Sequence, residues 1–143
     1  SDSTAGPLRI VVAEDEAIIR LDLIEMLREA GHDVVGEAGD GRRAVELVEQ
    51  LRPDLVVMDV KMPRLDGISA AQEIGGAGLA PVVMLTAFSD KELVERATDA
   101  GVMAYVLKPF MADDLRPAVT IATERLPEKK DSASGSLVSL NLL

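Results

Sequence analysis

The chain has no cysteine, no tryptophan, and only one tyrosine and two phenylalanines among its 143 residues. Without cysteine, disulfides, a thiolate nucleophile and a cysteine-based metal site are all excluded. With so few aromatic rings, the core has to be built from aliphatic side chains. Long apolar runs are lacking too. Stretches such as Leu55 to Met58 and Val82 to Leu85 are far shorter than the roughly 20 residues needed to span a bilayer. The opening SDSTAGP has no basic stretch followed by an apolar segment of signal-peptide length. A soluble, cytoplasmic protein without membrane association is expected. The formal net charge of −10 repels nucleic acid phosphates, and no Lys/Arg stripe offsets it, so this segment itself is not expected to bind DNA or RNA.

What is present is an alternation of strand-like and helix-like runs joined by short turns, the mark of βαβ units. Strands are predicted at Arg9 to Ala13, Asp33 to Glu37, Leu55 to Met58, Val82 to Leu85 and Ala104 to Leu107. They are nearly continuous in Val, Leu, Ile and Met, as in a sheet covered on both faces. A first helix over about Glu16 to Ala30 carries Ile19, Leu23, Met26, Leu27 and Ala30 as one stripe, and a second carries Ala44, Leu47, Val48 and Leu51. Gly31 and Pro53 stand where the two helices should stop. A third helix from Asp66 is expected to fade after Ile74 into a glycine loop at Gly75, Gly76 and Gly78. A fourth, about Lys91 to Ala100, is poor in large apolar residues. The last has its stripe at Leu115, Ala118, Val119, Ala122 and Leu126, with Pro117 expected to loosen or kink its first turn. The fold class is therefore α/β with a parallel, doubly wound sheet over residues 8–126. Residues 127–143 are read as a linker or tail, either native or a truncation remnant, ending in the small apolar patch LVSLNLL.

Four strands end in residues able to handle phosphate or metal: RIVVAED in Glu14 and Asp15, DLVVMD in Asp59, PVVMLT in Thr86, and AYVLKP in Lys108. In an open parallel sheet all carboxyl ends lie on one edge, so these residues can share a cleft. Mg²⁺ is held by one or two carboxylates plus phosphate oxygens and waters, and Asp15, Asp59 and Glu14 offer that set. A carboxylate beside such a metal can also attack phosphorus to give an aspartyl phosphate. Asp59, central on the edge, is the best candidate nucleophile. Lys108 supplies positive charge for the phosphoryl oxygens and Thr86 a hydroxyl donor.

AEDE, PDLVVMDVKMPRLDG, LTAF and AYVLKPF, in this order and at these intervals, resemble the receiver domain of two-component response regulators, a chemotaxis-Y-like family. The likeness runs from about Leu8 to Leu126. It implies a flavodoxin-like (βα)5 fold with five parallel strands in the order 2-1-3-4-5. It implies Asp59 as phosphoacceptor, and Glu14 and Asp15 as the acidic pair around Mg²⁺ or Mn²⁺, with Asp15 nearest the metal and Glu14 outside it or bridged by water. The Lys61 backbone carbonyl would complete the metal ligands. Lys108 would be the phosphate counter-ion, preceding a cis peptide to Pro109, with Thr86 and Tyr105 as the switch pair. Ala87 would leave room for the phosphoryl group, and Gly67 would start the loop that follows. A sensor histidine kinase is the implied partner. The face of the fourth helix, fifth strand and fifth helix would be the output surface, and the resemblance allows a homodimer there. RLDLIEMLREAGHDVVGEAGDG and VKMPRLDGI resemble in particular the receivers of antiterminator response regulators, in which a small RNA-binding domain called ANTAR follows. The residues after Leu126 are too few and of the wrong composition for that domain.

Taken singly, each residue has a plainer reading. Asp15 could cap or charge the first turn of a helix, Glu14 could be solvated, Asp40 and Asp66 read as helix caps, and Thr86, Tyr105 and Lys108 could be ordinary strand or surface residues. His32, in a Gly-His-Asp turn, carries no partner signal. The methionines read as core filler, and Gly36, Gly39 and Gly41 make no dinucleotide fingerprint. Two other functions remain open. A metal-dependent aspartyl-phosphate phosphatase would want a second acid two residues after the nucleophile, where Lys61 stands. A binding-only pseudo-receiver would lack the acids or the lysine, and none is missing.

Overall fold

A computed structural model of the protein describes residues 7–87 and 102–124, together with Glu92 and Glu95. Apart from Glu92 and Glu95, the helix expected at 91–100 lies outside the described residues, as do Leu126 and the tail expected at 127–143. Five parallel strands, β1 (Arg9–Ala13), β2 (Asp33–Ala38), β3 (Leu55–Asp59), β4 (Val82–Ala87) and β5 (Ala104–Lys108), form one sheet in the order β2-β1-β3-β4-β5. Helices α1 (Ala17–Glu29), α2 (Gly41–Leu51), α3 (Gly67–Gly76) and α4 (Ala112–Glu124) cover it.

Side chains alternate across a strand, and here both alternating sets are apolar. Val11, Ala13, Val56, Met58, Val82 and Met84 join α2 and α3 in one core. Ile10, Val12, Leu55, Val57, Val83 and Leu85 join α1 and α4 in the other. β3 is therefore buried along its whole length, which is why its sequence shows no polar alternation.

The order β2-β1-β3 means that the chain leaves β1 toward one side and returns on the other. The crevice outside the carboxyl ends of β1 and β3 is the place where open α/β sheets bind ligands. The register puts Ala13 opposite Met58, Asp59 opposite Leu85, and Ala87 opposite Lys108.

Helix boundaries follow local chemistry. Asp40 caps α2 by accepting from Arg43 N at 2.8 Å, and Asp66 caps α3 by accepting from Ser69 N at 2.8 Å, as their sequence positions predict. α1 stops at Gly31, whose φ of +94° suits a residue without Cβ. In α1 the buried stripe is Leu23, Ile24 and Leu27, and Ala30 is exposed rather than part of it. α3 departs from expectation as well: it continues through Gly75 and Gly76. Ile68, Ala70, Ala71 and Ile74 are buried and hold the helix by packing, and the turn comes at Gly78, with φ +65°. α4 runs unbroken across Pro117. His32 does have a partner: its Nδ1 accepts from Leu8 N at 3.1 Å, tying the start of β1 to the α1–β2 turn. Burial lowers the His32 pKa, favouring the neutral ring that this acceptor role requires.

Candidate functional site

β1 delivers Glu14 and Asp15 to the carboxyl edge, β3 delivers Asp59, β4 Thr86 and β5 Lys108. Carboxylate oxygens of Glu14, Asp15 and Asp59 all lie within 4.8 Å of one another. Lys108 Nζ donates to Asp59 Oδ1 at 3.1 Å and lies 3.5 Å from Glu14 Oε1. All five residues named from the strand ends thus reach one edge, and the three acids and the lysine meet in direct contact range.

Their surroundings differ. Asp15 is exposed, Asp59 is 4% exposed, and Glu14 is fully buried, so the solvated reading of Glu14 does not hold. Glu14 Oε2 accepts from Glu16 N at 3.0 Å, whereas its Oε1 is buried with no hydrogen-bond partner. A buried carboxylate oxygen that has an ammonium at 3.5 Å but no hydrogen bond is only partly compensated. Burial, moderated by the Glu16 amide, pushes the Glu14 pKa up to about 7. Burial also raises that of Asp59, and the Lys108 hydrogen bond only partly offsets it. For Lys108, burial works against the charged form, but its hydrogen bond and charge attraction to Asp59 and the charge of Glu14 leave the pKa raised. The ammonium is the cation that holds two crowded carboxylates together.

Such a cluster fits a hard divalent cation. It supplies oxygen donors only, it carries more negative charge than one lysine neutralises, and Glu14 Oε1, buried without a hydrogen bond, is the kind of atom a metal or its bound water satisfies. Asp15 turns out not to be a side-chain cap: α1 has Glu16 at its N-cap and no side-chain cap bond.

The remaining predicted residues flank this cluster. Thr86 is buried, with Oγ1 donating to the Ala87 carbonyl at 3.3 Å. Tyr105 is half-buried against the α2/α3 core. Lys61 is exposed, two residues past Asp59. Lys108-Pro109 is cis. Gly67 packs against the Asp59 backbone so closely that a Cβ there would lie 2.0 Å from the Asp59 carbonyl oxygen. Sequence reasoning missed two arginines. Arg20, on α1, donates to the Glu14 carbonyl at 2.6 Å and to Glu37 Oε1 at 3.0 Å, and Arg64 pairs with Asp40. Their partners lie 6 to 24 residues away, and no local spacing rule connects them.

A two-sided parallel sheet with a lysine-bound carboxylate cluster at its topological switch point defines an α/β domain whose ligand-binding edge could hold a metal ion. The response regulator receiver domain model matches residues 10–120. The chain belongs to that family, the receivers of two-component signalling. It is 62% identical over 124 residues to the transcriptional regulatory protein PdtaR of Mycobacterium tuberculosis, covering 87% of this chain and 60% of that protein. The chain thus spans less than two thirds of that relative's length. It is 38% identical over 112 residues to the chemotaxis protein CheY of Bacillus subtilis, covering 78% of this chain and 93% of CheY. Among solved structures, the receiver domain of the putative response regulator NarL from M. tuberculosis superposes with a TM-score of 0.78 at 28% identity, covering 84% of this chain and 98% of that one. Receiver domains work with histidine kinases. No helix among the described residues is long and apolar enough to cross a membrane.

Proposed function

We propose that Asp59 is the phosphoacceptor, taking a phosphoryl group from a phosphohistidine of a partner sensor kinase. The observation that carries this reading is Asp59 itself: a buried carboxylate held 3.1 Å from Lys108 Nζ in a cluster with two further acids. Asp15, Asp59 and the Lys61 carbonyl would hold Mg²⁺ or Mn²⁺, with Glu14 behind them or bridged by water. A bound cation supplies charge neutralisation for the phosphoryl oxygens. An Asp59 carboxylate oxygen forms the new O–P bond as the P–N bond breaks, and the imidazole leaves with that electron pair and takes up a proton. Lys108 stays protonated and stabilises the charge spread over the transferring group.

Thr86 then exchanges its Ala87 carbonyl partner for a phosphoryl oxygen, and Tyr105 follows into the space released. This biases the surface around β5 and α4 between two arrangements, a surface that also offers a route to a homodimer. The chain acts on its own phosphorylation state and turns over no outside substrate. Residues 8–126 form the receiver and 127–143 the connection to an output, in the cytoplasm. In a longer protein that output would be RNA-binding antitermination.

Intact-mass spectrometry after incubation with acetyl phosphate and MgCl₂ tests the assignment. One hydroxylamine-sensitive phosphoryl group is expected on the unmodified chain and none on Asp59→Asn. The same labile phosphate on the Asn variant would sink it. Steady turnover of a generic phosphate ester would favour a phosphatase, and failure to bind Mg²⁺ a binding-only domain.

A further inference from the structure

The loop from Val60 to Asp66 joins Asp59 to α3 and carries Lys61. Its two ends are fastened to each other and to the sheet: Val60 N donates to the Leu85 carbonyl at 3.0 Å, and Gly67 N to the Val60 carbonyl at 2.8 Å. Its far side rests on the N-terminus of α2. A Cβ on Gly41 would lie 1.8 Å from the Leu65 carbonyl oxygen, so the contact is backbone against backbone. Within this loop Arg64 has a φ of +68°. A non-glycine residue adopts that conformation at a cost unless its surroundings impose it. Arg52, the other such residue among those described, sits at a helix C-cap where this geometry is common. Arg64 has no such excuse. Its guanidinium instead donates from Nε at 3.2 Å and Nη2 at 2.8 Å to Asp40 Oδ2. Asp40 Oδ1 accepts from Arg43 N at 2.8 Å. Asp40 therefore caps α2 and clamps the loop with its two oxygens at once.

We propose that Asp40 and Arg64 form a positioning clasp that fixes the β3–α3 loop, and through it the Lys61 carbonyl, in the arrangement that favours divalent metal binding. Neither residue belongs to the acidic cluster. Arg64 acts through three residues of backbone, with Met62 buried between it and Lys61 as a second anchor. The corner between β2 and α2, which contributes no residue to the cluster, thus holds a metal-bearing loop in register. The inference rests on the functional reading above.

Calorimetric titration with MgCl₂, paired with thermal unfolding, tests it. Arg64→Gly is the telling variant because glycine adopts the left-handed backbone without strain and loses only the clasp. Its melting temperature should stay within about 3 °C of the unmodified protein, while Mg²⁺ affinity falls about tenfold, as when other groups that orient metal ligands are removed. Asp40→Asn, which keeps an acceptor for Arg43 N but loses the charge, should weaken Mg²⁺ similarly. The double variant should be no weaker than the weaker single one. Unchanged Mg²⁺ affinity in Arg64→Gly, or additive losses in the double variant, would overturn the clasp alone. Absence of Mg²⁺ binding by the unmodified protein would overturn the functional reading and the clasp with it.

Discussion

The two halves of the carboxyl edge are built differently. On the β1/β3 side the strands are buried nearly throughout, and each following loop is fastened by an arginine. Arg20 ties the Glu14 carbonyl to Glu37, and Arg64 ties its loop to Asp40. Both arginines therefore anchor on the β2–α2 corner. On the β4/β5 side β4 is buried as well, but β5 is not. Thr86 donates to the carbonyl of the next residue, Tyr105 is half-buried, and Leu107 is 51% exposed on a strand with one buried residue, Val106. Lys108 is the bridge between the halves, reaching from β5 to Asp59 and Glu14. Chemistry that needs carboxylates fixed in place sits on buried strands, and the proposed signal that must reach a surface leaves by the more exposed β5.

The largest effect should come from disturbing the β1/β3 side. Gly67→Ala would drive a Cβ into the Asp59 backbone and should cost about 3 kcal/mol or more in urea unfolding. Gly78→Ala, with open space but φ +65°, should cost only about 1 kcal/mol. Equal costs would dissolve the contrast between the seated loop and an ordinary turn.

Next comes Glu14. Its folded pKa of about 7 lies above the ordinary 4.5, so the folded state binds the proton more tightly. The stability this gives is full below pH 4.5 and is lost as pH rises toward 7. In metal-free buffer at pH 8, Glu14→Gln should therefore be more stable by up to about 3 kcal/mol, with no gain at pH 4. A pH-independent difference would mean the carboxylate is not the strained group.

Lys108→Met tests the bridge. Phosphorylation by acetyl phosphate should slow about 100-fold, as when one fixed charge-stabilising donor is removed. The smallest effect belongs to the β4/β5 side. Thr86→Val should change stability by about 1 kcal/mol or less and leave phosphorylation on Asp59 intact, while abolishing the phosphorylation-dependent NMR shifts around Tyr105. Persistence of those shifts would remove Thr86 from the proposed switch.

Much of this was legible in the chain because the signals were local. Val/Leu/Ile/Met runs on both faces require helices above and below the sheet, and Asp40 and Asp66 cap as their positions suggest. What escaped was non-local. α3 continues through Gly75 and Gly76 because Ile74 and its neighbours are buried, which outweighs glycine's poor helix propensity. His32 looked idle because its partner, the Leu8 amide, is brought to it by strand pairing. Glu14 and Asp15 are adjacent acids of nearly the same chemistry, and nothing in their order says that one is sealed in and the other wet.

The sequence by itself determined the strands, their polar ends and hence the class of chemistry, since those depend on side-chain type and spacing of a few residues. Tertiary structure decided which carboxylate is starved of solvent, which lysine compensates it, and which arginines hold the loops. Burial and charge pairing are properties of neighbours in space, and here those neighbours lie as far apart in the chain as Glu14 and Lys108.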